Sequence, residues 1–587
     1  MNNKKRDIWV DTLLGNMDLR QKIGQLMVFG YAGYKIRPHH KELVEKYRIG
    51  GFRIAQKFHG GASDHREENS AKRLKENDFP GMNTFDSPPN LSTKPVHVSP
   101  QEYAIQLNKL RALAMEQKNP VPIHYAFDQE GEGSDFLFNF RLFPYPMGLA
   151  ATGDKNLTYR VADALAKQAR SIGANMIHSP CLDVNVNPEN PEIGPRAYSP
   201  DPDVIADYAA MTLKGFSDNK LIATGKHFPG RGDSNQDAHF SLPTIEVSAK
   251  VMREIHLKPF RDLIDQGLPA IMAAFTAYPG IGPAGEPAAT SREIITGILR
   301  EEMRFKGVIT TDNIQMRGLL DKYPVEEAVT RSLNAGCDLV LCRAETTAVM
   351  SICDAVYDAV KNGSYSERQL DESVQRILSM RYDMDLHING GIVDPDKAGL
   401  WFEDESVKAV AKEASDRTTV ILKNEKNLLP VKKTKKVLLI EQIHHFHSFI
   451  NNSYSHPGML WDEIREYSDN ISLTLINEKF TEADIGNVIA RIERDEPELI
   501  ITTSYYNYRS HACMLPLLDL IKEKGIEIIV VANTPYEKFA MPSWTDTGLV
   551  SFCPSGREGV KAIAAALFGK LEGSGSINFL SHNAEKL

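Results

Sequence analysis

Short apolar runs alternate with longer amphipathic stretches between residues 45 and 345. The runs predicted as strands are Gly50 to Ile54, Ile123 to Phe127, Asn175 to Ser179, Leu221 to Thr224, Ala270 to Ala274, Gly307 to Thr311 and Asp338 to Leu341. Helical patterns such as Asn156 to Ile172, Val204 to Phe216 and Val325 to Ala335 separate several of them. Repeated strand–helix alternation predicts a parallel sheet with helical crossovers. Seven or eight such units over roughly 350 residues suit an α/β fold of the (β/α)8 TIM-type barrel class with insertions; a doubly wound open sheet is the alternative.

A break follows. Residues 383 to 403 hold Gly390, Gly391, Pro395 and Gly399 and read as a hinge. Beyond it, Val407 to Ser415 reads as a helix, and Val437 to Ile440, Leu499 to Thr502 and Ile526 to Val531 read as strands. This second unit is too small for a barrel and suits a three-layer α/β/α sandwich. The expected division is a barrel over 1–385, a linker over 386–403 and a sandwich over 404–587. A long insertion over 57–100, rich in Asn, Ser, Pro and Gly, follows the first strand and would lie on the barrel rim as a surface loop or a substrate cover.

A barrel directs attention to the C-terminal ends of its strands, where chemistry collects. Asp128 with Gln129 and Glu130, Asp183, Lys226 with His227, and Asp312 all fall there. The densest segment is KHFPGRGDSNQDAHFSLP, Lys226 to Pro243. Its glycines and prolines rule out a regular helix. A buried strand therefore delivers Lys226 and His227 to its tip, and a loop carries Asp237 and His239 past it. An Asp and a His two residues apart can pair, with the carboxylate orienting the imidazole and stabilising its protonated form. Asp312, directly after an apolar strand, could serve as a nucleophile or as a metal ligand. No spaced ligand motif accompanies it, so no metal is expected.

Composition narrows the classes. The 587 residues are 42% hydrophobic and 25% charged, as in an ordinary globular protein with room for two cores. A net charge of −9 argues against nucleic acid as a partner. No run of apolar residues is long enough to span a bilayer. The N-terminal MNNKKRDIWVDTLL lacks an apolar signal-peptide core, so the expectation is a cytoplasmic protein, or an extracellular or wall-associated one whose leader was removed. Cys181, Cys337, Cys342, Cys353, Cys513 and Cys553 show no paired spacing and read as buried small apolar residues.

Several segments carry a resemblance. DLRQKIGQLM (18 to 27), IGGFRI (49 to 54), FDQEG (127 to 131), SPCLDVNVNPENPEIGPRAYS (179 to 199), the Lys226 loop, GVITTDNIQM (307 to 316), LNAGCDLVL (333 to 341) and TVILKNEKNLLPV (419 to 431) stand in one order. The chain resembles glycoside hydrolase family 3, in its β-N-acetylglucosaminidase branch. That resemblance implies a retaining exo-glycosidase that needs no cofactor and takes a GlcNAc-terminated cell-wall (muropeptide) or chitin-derived fragment. By match, Asp312 is the nucleophile, His239 the acid and base, and Asp237 its orienting partner. By the same match, Asp128, Arg196, Lys226 and His227 surround the terminal sugar. Arg196 could instead form a structural ion pair with Asp183 or Glu192.

The chain departs from the branch in places. Ala238 stands in the middle of the Asp-x-His pair, where Ser or Thr is usual. Glu132, Gly133 and Ser134 follow FDQEG where a segment with Arg is usual, and Phe275 replaces a frequent His. These differences leave open a phosphorylase, a β-glucosidase or β-xylosidase, and a silent sugar-binding protein. In the second unit, Tyr505, Tyr506, Asn507, Tyr508, Arg509 and His511 could shape a leaving-group subsite or pack between domains. His444, His445 and His447 read as surface. The sequence assigns no oligomeric state.

Overall fold

The computed structural model describes residues 2–33, 35–55, 99–131, 140–343, 350–443, 457–506, 513–571 and 575–577. Nearly all of the 57–100 insertion, together with Glu132, Gly133, Ser134, His444, His445, His447, Asn507, Tyr508, Arg509 and His511, lies outside the described residues.

Eight parallel strands close into a barrel: β1 (Met27–Ala32), β2 (Gly51–Ala55), β3 (His124–Phe127), β4 (Met176–Ile177), β5 (Ile222–Phe228), β6 (Ala270–Ala273), β7 (Val308–Asn313) and β8 (Leu339–Cys342). β1 pairs with β8 through Met27 opposite Val340, which completes the ring. The predicted strands all occur. β1 was not among them, because only Leu26 separates it from the helix Leu19–Gln25. Leu26 is itself fully buried, so one unbroken apolar stretch hides the change of element.

Two strands run further than their apolar cores suggest. β5 continues through Lys226 and His227, with Lys226 opposite Met272 and Phe228 opposite Ala273. β7 continues through Asp312 to Asn313, which pairs with Leu341. Charged side chains end an apolar pattern, but the backbone beneath them still pairs. Lys226, His227 and Asp312 thus stand on sheet rather than on free loop.

The second unit is a six-stranded sheet in the order β11-β10-β12-β13-β14-β9, formed by β9 (Thr419–Asn424), β10 (Val437–Ile443), β11 (Ile471–Asn477), β12 (Leu499–Ser504), β13 (Glu527–Ala532) and β14 (Thr547–Ser551). Alternate residues feed two cores. Leu438, Ile440, Ile500 and Val530 pack on one face, while Val437, Leu439, Ile501 and Val531 pack on the other. Helices Glu482–Asp495 and Leu515–Lys522 contribute Ile492 and Leu518 to the first core; Arg557–Leu567 contributes Ile563 to the second. This is the three-layer sandwich. β9, β11 and β14 are not among the predicted strands: β9 and β11 are edge strands with several half-exposed positions, and β14 is a five-residue run interrupted by Gly548. β9 runs antiparallel to β14.

The two units touch beside the barrel mouth. The Tyr145 N–H donates to the Phe552 carbonyl at 2.9 Å. The loop after β4 receives three contacts: Asn185 Nδ2 donates to Tyr536 at 2.9 Å, Tyr506 donates to the Pro191 carbonyl at 3.3 Å, and Lys538 pairs with Glu189 at 2.6 Å.

Candidate active site

The floor of the barrel mouth is a lattice of opposite charges. Asp128, just past β3, accepts from Arg53 Nε and Nη2 at 2.9 and 2.7 Å and from Lys226 Nζ at 3.1 Å. Its other neighbour is His178 Nδ1 at 3.2 Å. Burial pushes the Asp128 carboxyl up, but Lys226, Arg53 and His178 outweigh it and hold the group well below the usual carboxylate range. Glu130 pairs with Lys226 and with Arg196, whose Nη2 lies 3.1 Å away. Burial opposes its ionisation, yet Arg196 and Lys226 bring it down to about 2. Arg196 therefore takes Glu130 as its main partner rather than Asp183; its Nη1 donates to the Glu192 carbonyl at 2.9 Å and reaches the Glu192 carboxylate only at 3.9 Å.

Beneath this lattice His227 Nδ1 lies 2.6 Å from Asp183 Oδ2. Burial, reinforced by Arg231 and Arg196, drives His227 well below the ordinary imidazole value. A neutral ring donates from Nδ1 to Asp183 and leaves Nε2 facing Arg196 Nη2 at 3.5 Å. Asp183 also accepts the Arg231 N–H at 2.7 Å, which fixes the start of the loop after β5. At Gly232 a Cβ would lie 1.9 Å from the Val184 carbonyl oxygen, so only glycine lets this loop press against the loop after β4.

The same loop then presents the predicted pair. His239 Nδ1 lies 2.7 Å from Asp237 Oδ1, and the His239 N–H donates to that same oxygen at 2.8 Å. A second carboxylate, Glu192 from the β4 loop, reaches Nδ1 at 3.3 Å. Burial lowers the affinity of the ring for its proton, but Asp237 and Glu192 reverse the effect and raise His239 to about 9. With Nδ1 held by carboxylates, the exchangeable proton is the one on Nε2.

Asp312 completes the site from β7. Its cation is Arg231, with Nη1 at 3.4 Å from Oδ2. Arg231 Nη2 holds Glu192 Oε1 at 2.7 Å. A chain of contacts thus links His239, Glu192, Arg231 and Asp312. The two loops are also pinned together, since the Gly318 N–H donates to the Ala238 carbonyl at 3.1 Å. A Cβ at Gly318 would stand 2.8 Å from the Ser241 carbonyl oxygen, so the close approach needs glycine there.

Exposure sorts the groups. The side chains of Asp128, His239 and Asp312 are 26%, 26% and 13% exposed, while those of Lys226, His227, Asp237 and Glu192 are 3% or less. The first three face the mouth, and the rest hold them from behind. All seven residues singled out in the sequence converge at this end of the barrel. Arg53, His178, Glu192 and Arg231 belong to the same network and were not read as site residues. Their available signal was weak: Arg53 is a lone charge inside an apolar strand, and Glu192 and Arg231 sit among many polar neighbours.

Tyr505 packs in the core of the second unit, and Tyr506 stacks on Phe539 with ring centroids 4.3 Å apart. Among the described residues, these tyrosines serve packing and the domain contact. Among the described residues, two groups bring three donor atoms of metal-ligand type together: Cys181, Asp183 and His227, and Glu192, Asp237 and His239. In the first, the donors bond one another, with Cys181 Sγ 3.2 Å from Asp183, and burial pushes the thiol far up. In the second, they converge on one ring nitrogen. Neither group reads as a metal centre.

Comparison with known proteins agrees in extent and architecture. The sequence model of the glycosyl hydrolase family 3 N-terminal domain matches residues 18–380. A protein named β-hexosaminidase A from Pseudoalteromonas piscicida is 31% identical over 304 residues, covering 47% of this chain and 50% of that protein. One named β-N-acetylglucosaminidase/β-glucosidase from Cellulomonas fimi is 27% identical over 320 residues, covering 53% and 56%. The chain thus spans about half the length of these two relatives. Among solved structures, a glycoside hydrolase family 3 β-N-acetylglucosaminidase from Paenibacillus sp. str. FPU-7 superposes with a TM-score of 0.80 at 25% identity, covering 94% of this chain and 97% of that one. With the family match covering more than half its length and the barrel and sandwich both in place, the chain belongs to glycosyl hydrolase family 3.

Proposed function

We propose that this protein is a retaining exo-β-N-acetylglucosaminidase that removes terminal β-linked GlcNAc from cell-wall (muropeptide) or chitin-derived fragments. The observation that carries the reading is the His239–Asp237 contact of 2.7 Å, set in the same barrel mouth as Asp312. In the first half-reaction an Asp312 oxygen attacks the anomeric carbon. The bond to the leaving oxygen breaks, and His239 Nε2 gives that oxygen a proton. In the second, His239 takes a proton from water, the water oxygen attacks the same carbon, and the ester to Asp312 breaks. Asp128 accepts from sugar hydroxyls and Arg196 and Lys226 donate, with His227 set behind Arg196. The names of the Pseudoalteromonas, Cellulomonas and Paenibacillus proteins support a β-linked N-acetylhexosamine as the sugar.

Hydrolysis is favoured over phosphorolysis for a specific reason. Glu192 adds a second carboxylate beside His239. Incoming phosphate would meet that charge, whereas water would not. The test is a panel of 4-nitrophenyl glycosides, with and without phosphate. Expected are release from the β-GlcNAc glycoside above the β-glucoside, free GlcNAc as product in both buffers, and loss of about 10^4-fold in Asp312→Asn. A sugar 1-phosphate product, faster glucoside cleavage or full activity in Asp312→Asn would each defeat the reading.

A further inference from the structure

We propose that Glu192 and Arg231 are positioning residues that form a charge bridge, through which the ionic state of Asp312 sets the proton affinity of His239. The inference rests on the reading of Asp312 and His239 given above.

The geometry is specific. Glu192 Oε1 lies 3.3 Å from His239 Nδ1 and 2.7 Å from Arg231 Nη2, and the same guanidinium reaches Asp312 at 3.4 Å. Arg231 and Glu192 are 1% and 2% exposed, so little solvent screens them. Asn190 fixes both: its Nδ2 donates to the Arg231 carbonyl at 2.9 Å, and its Oδ1 accepts the Glu192 N–H at 3.0 Å.

The demands on His239 are opposite in the two half-reactions. It must hold a proton in the free enzyme and must be empty once the sugar is bound to Asp312. A permanent second carboxylate at Nδ1 would help the first step and hinder the second. Arg231 resolves the conflict. In the free enzyme one guanidinium serves two carboxylates, so the Glu192 charge acts on His239 only partly compensated. Forming the glycosyl ester removes the charge of Asp312. Arg231 then compensates Glu192 alone, and the imidazole releases its proton more readily. Regenerating Asp312 reverses the change. The other charged or titratable groups around His239 are Asp237 on its own loop, Arg196 across Glu192, His227 below, and Tyr506 from the second unit beside Asp237. Among the described residues, none of these forms a hydrogen bond or ion pair with Asp312.

Burst kinetics with 4-nitrophenyl β-GlcNAc separate the halves, because this leaving group departs without protonation and the slow phase reports ester hydrolysis. In Arg231→Gln the acid limb of the slow phase should move up by about one pH unit, since Glu192 is left uncompensated. Arg231→Lys should restore it in part. The double variant Glu192→Gln/Arg231→Gln should bring the limb back down, a reversal that a misfolded site would not give. In the wild-type protein the limb for ester hydrolysis should lie below the basic limb of kcat/KM for an alkyl glycoside, which reports the free enzyme. An unmoved limb in Arg231→Gln, a double variant displaced as far as the single, or coincident wild-type limbs overturns the bridge. If the variants fold poorly, the wild-type comparison still decides. A wild-type protein that releases no 4-nitrophenol instead defeats the proposed function.

Discussion

Two buried glutamates separate the barrel mouth from the sandwich. Glu130, past β3, is drawn down to about 2, while Glu441, on β10, is pushed up to about 7. Burial opposes ionisation at both, and the difference lies in the company. Glu130 meets Arg196 and Lys226. Glu441 meets backbone N–H groups, those of Leu460 and Trp461 at 3.2 and 3.1 Å among them, and the carboxylate of Asp462, which raises it further. Both sit at the C-terminal ends of parallel strands, the place where α/β sheets put their ligands. Of these two glutamates, the one in the barrel mouth is surrounded by cations. Other polar side chains at these strand ends are neutral and serve the backbone: Gln442 bonds that of Tyr505, and Asn533 bonds that of Tyr506. The same architecture thus supports charge chemistry in one unit and backbone support in the other.

The sharpest way to test that division is at His239. His239→Ala should lower kcat/KM for an alkyl β-GlcNAc glycoside by about 10^2- to 10^4-fold, the usual span for a general acid. The 4-nitrophenyl substrate should lose far less in its first step. The wild-type alkyl activity should also fall as pH rises through about 9, because the proton to be donated is lost there. An equal loss on both substrates would remove His239 from the acid role.

The next largest effect should come from Lys226→Met. It leaves Asp128 and Glu130 sharing fewer cations in a site where Lys226 itself is 2% exposed. Breaking a buried pair from one side costs about 3–5 kcal/mol, so a clear fall in melting temperature is expected together with loss of sugar binding. The wild-type lattice gives a sign check. The Glu130 carboxyl is depressed in the folded state, so its stabilisation is complete above the ordinary glutamate value and disappears as pH falls through about 2. A Lys226→Met protein as stable and as active as wild type would show the lattice to be incidental.

These residues also show how far sequence could lead. Asp312 was legible from a short motif at a strand end, and Asp237 and His239 from a short motif on the loop after β5. The Arg231 partner of Asp312 was not, because Lys226, Arg196 and Arg231 all stand far from Asp312 along the chain. Only the folded loop shows that Glu130 engages the first two cations, leaving Arg231 to Asp312 and Glu192. The barrel was visible in seven of its strands; β1 was hidden by its junction with a helix, and β4 shrinks to Met176 and Ile177. The sandwich edges β9 and β11 lacked the two-sided burial that makes an interior strand recognisable.

A smaller effect is expected at Glu441. Its carboxyl is raised in the folded state, so the associated stability is present below the ordinary glutamate value and is lost as pH rises through about 7. The wild-type protein should therefore lose about 1–3 kcal/mol from this group as pH is raised from 4.5 to about 7, with little further change above that. Glu441→Gln should flatten that slope, whatever its effect on absolute stability, and should leave the pH profile of the alkyl glycoside reaction in place. A shift of that profile would mean that the sandwich carboxylate communicates with the barrel mouth.

The smallest effect bears on the seam between the two regions. Tyr506 reaches out of the sandwich and gives its proton to the Pro191 carbonyl, one residue before Glu192. Tyr506→Phe removes that bond and keeps the ring stacked on Phe539. A single neutral hydrogen bond contributes about 0.5–1.5 kcal/mol, so the fall in stability should be slight. The position of Glu192 is a more sensitive gauge, because its distance to His239 is already 3.3 Å and a small retreat would weaken its hold on the imidazole. The basic limb of kcat/KM for the alkyl glycoside should then move slightly down in pH, with the maximal rate little changed. If the limb stays fixed while stability falls, the sandwich braces the β4 loop without tuning the acid. If the limb moves, a neutral domain contact helps set the charge chemistry of its neighbour.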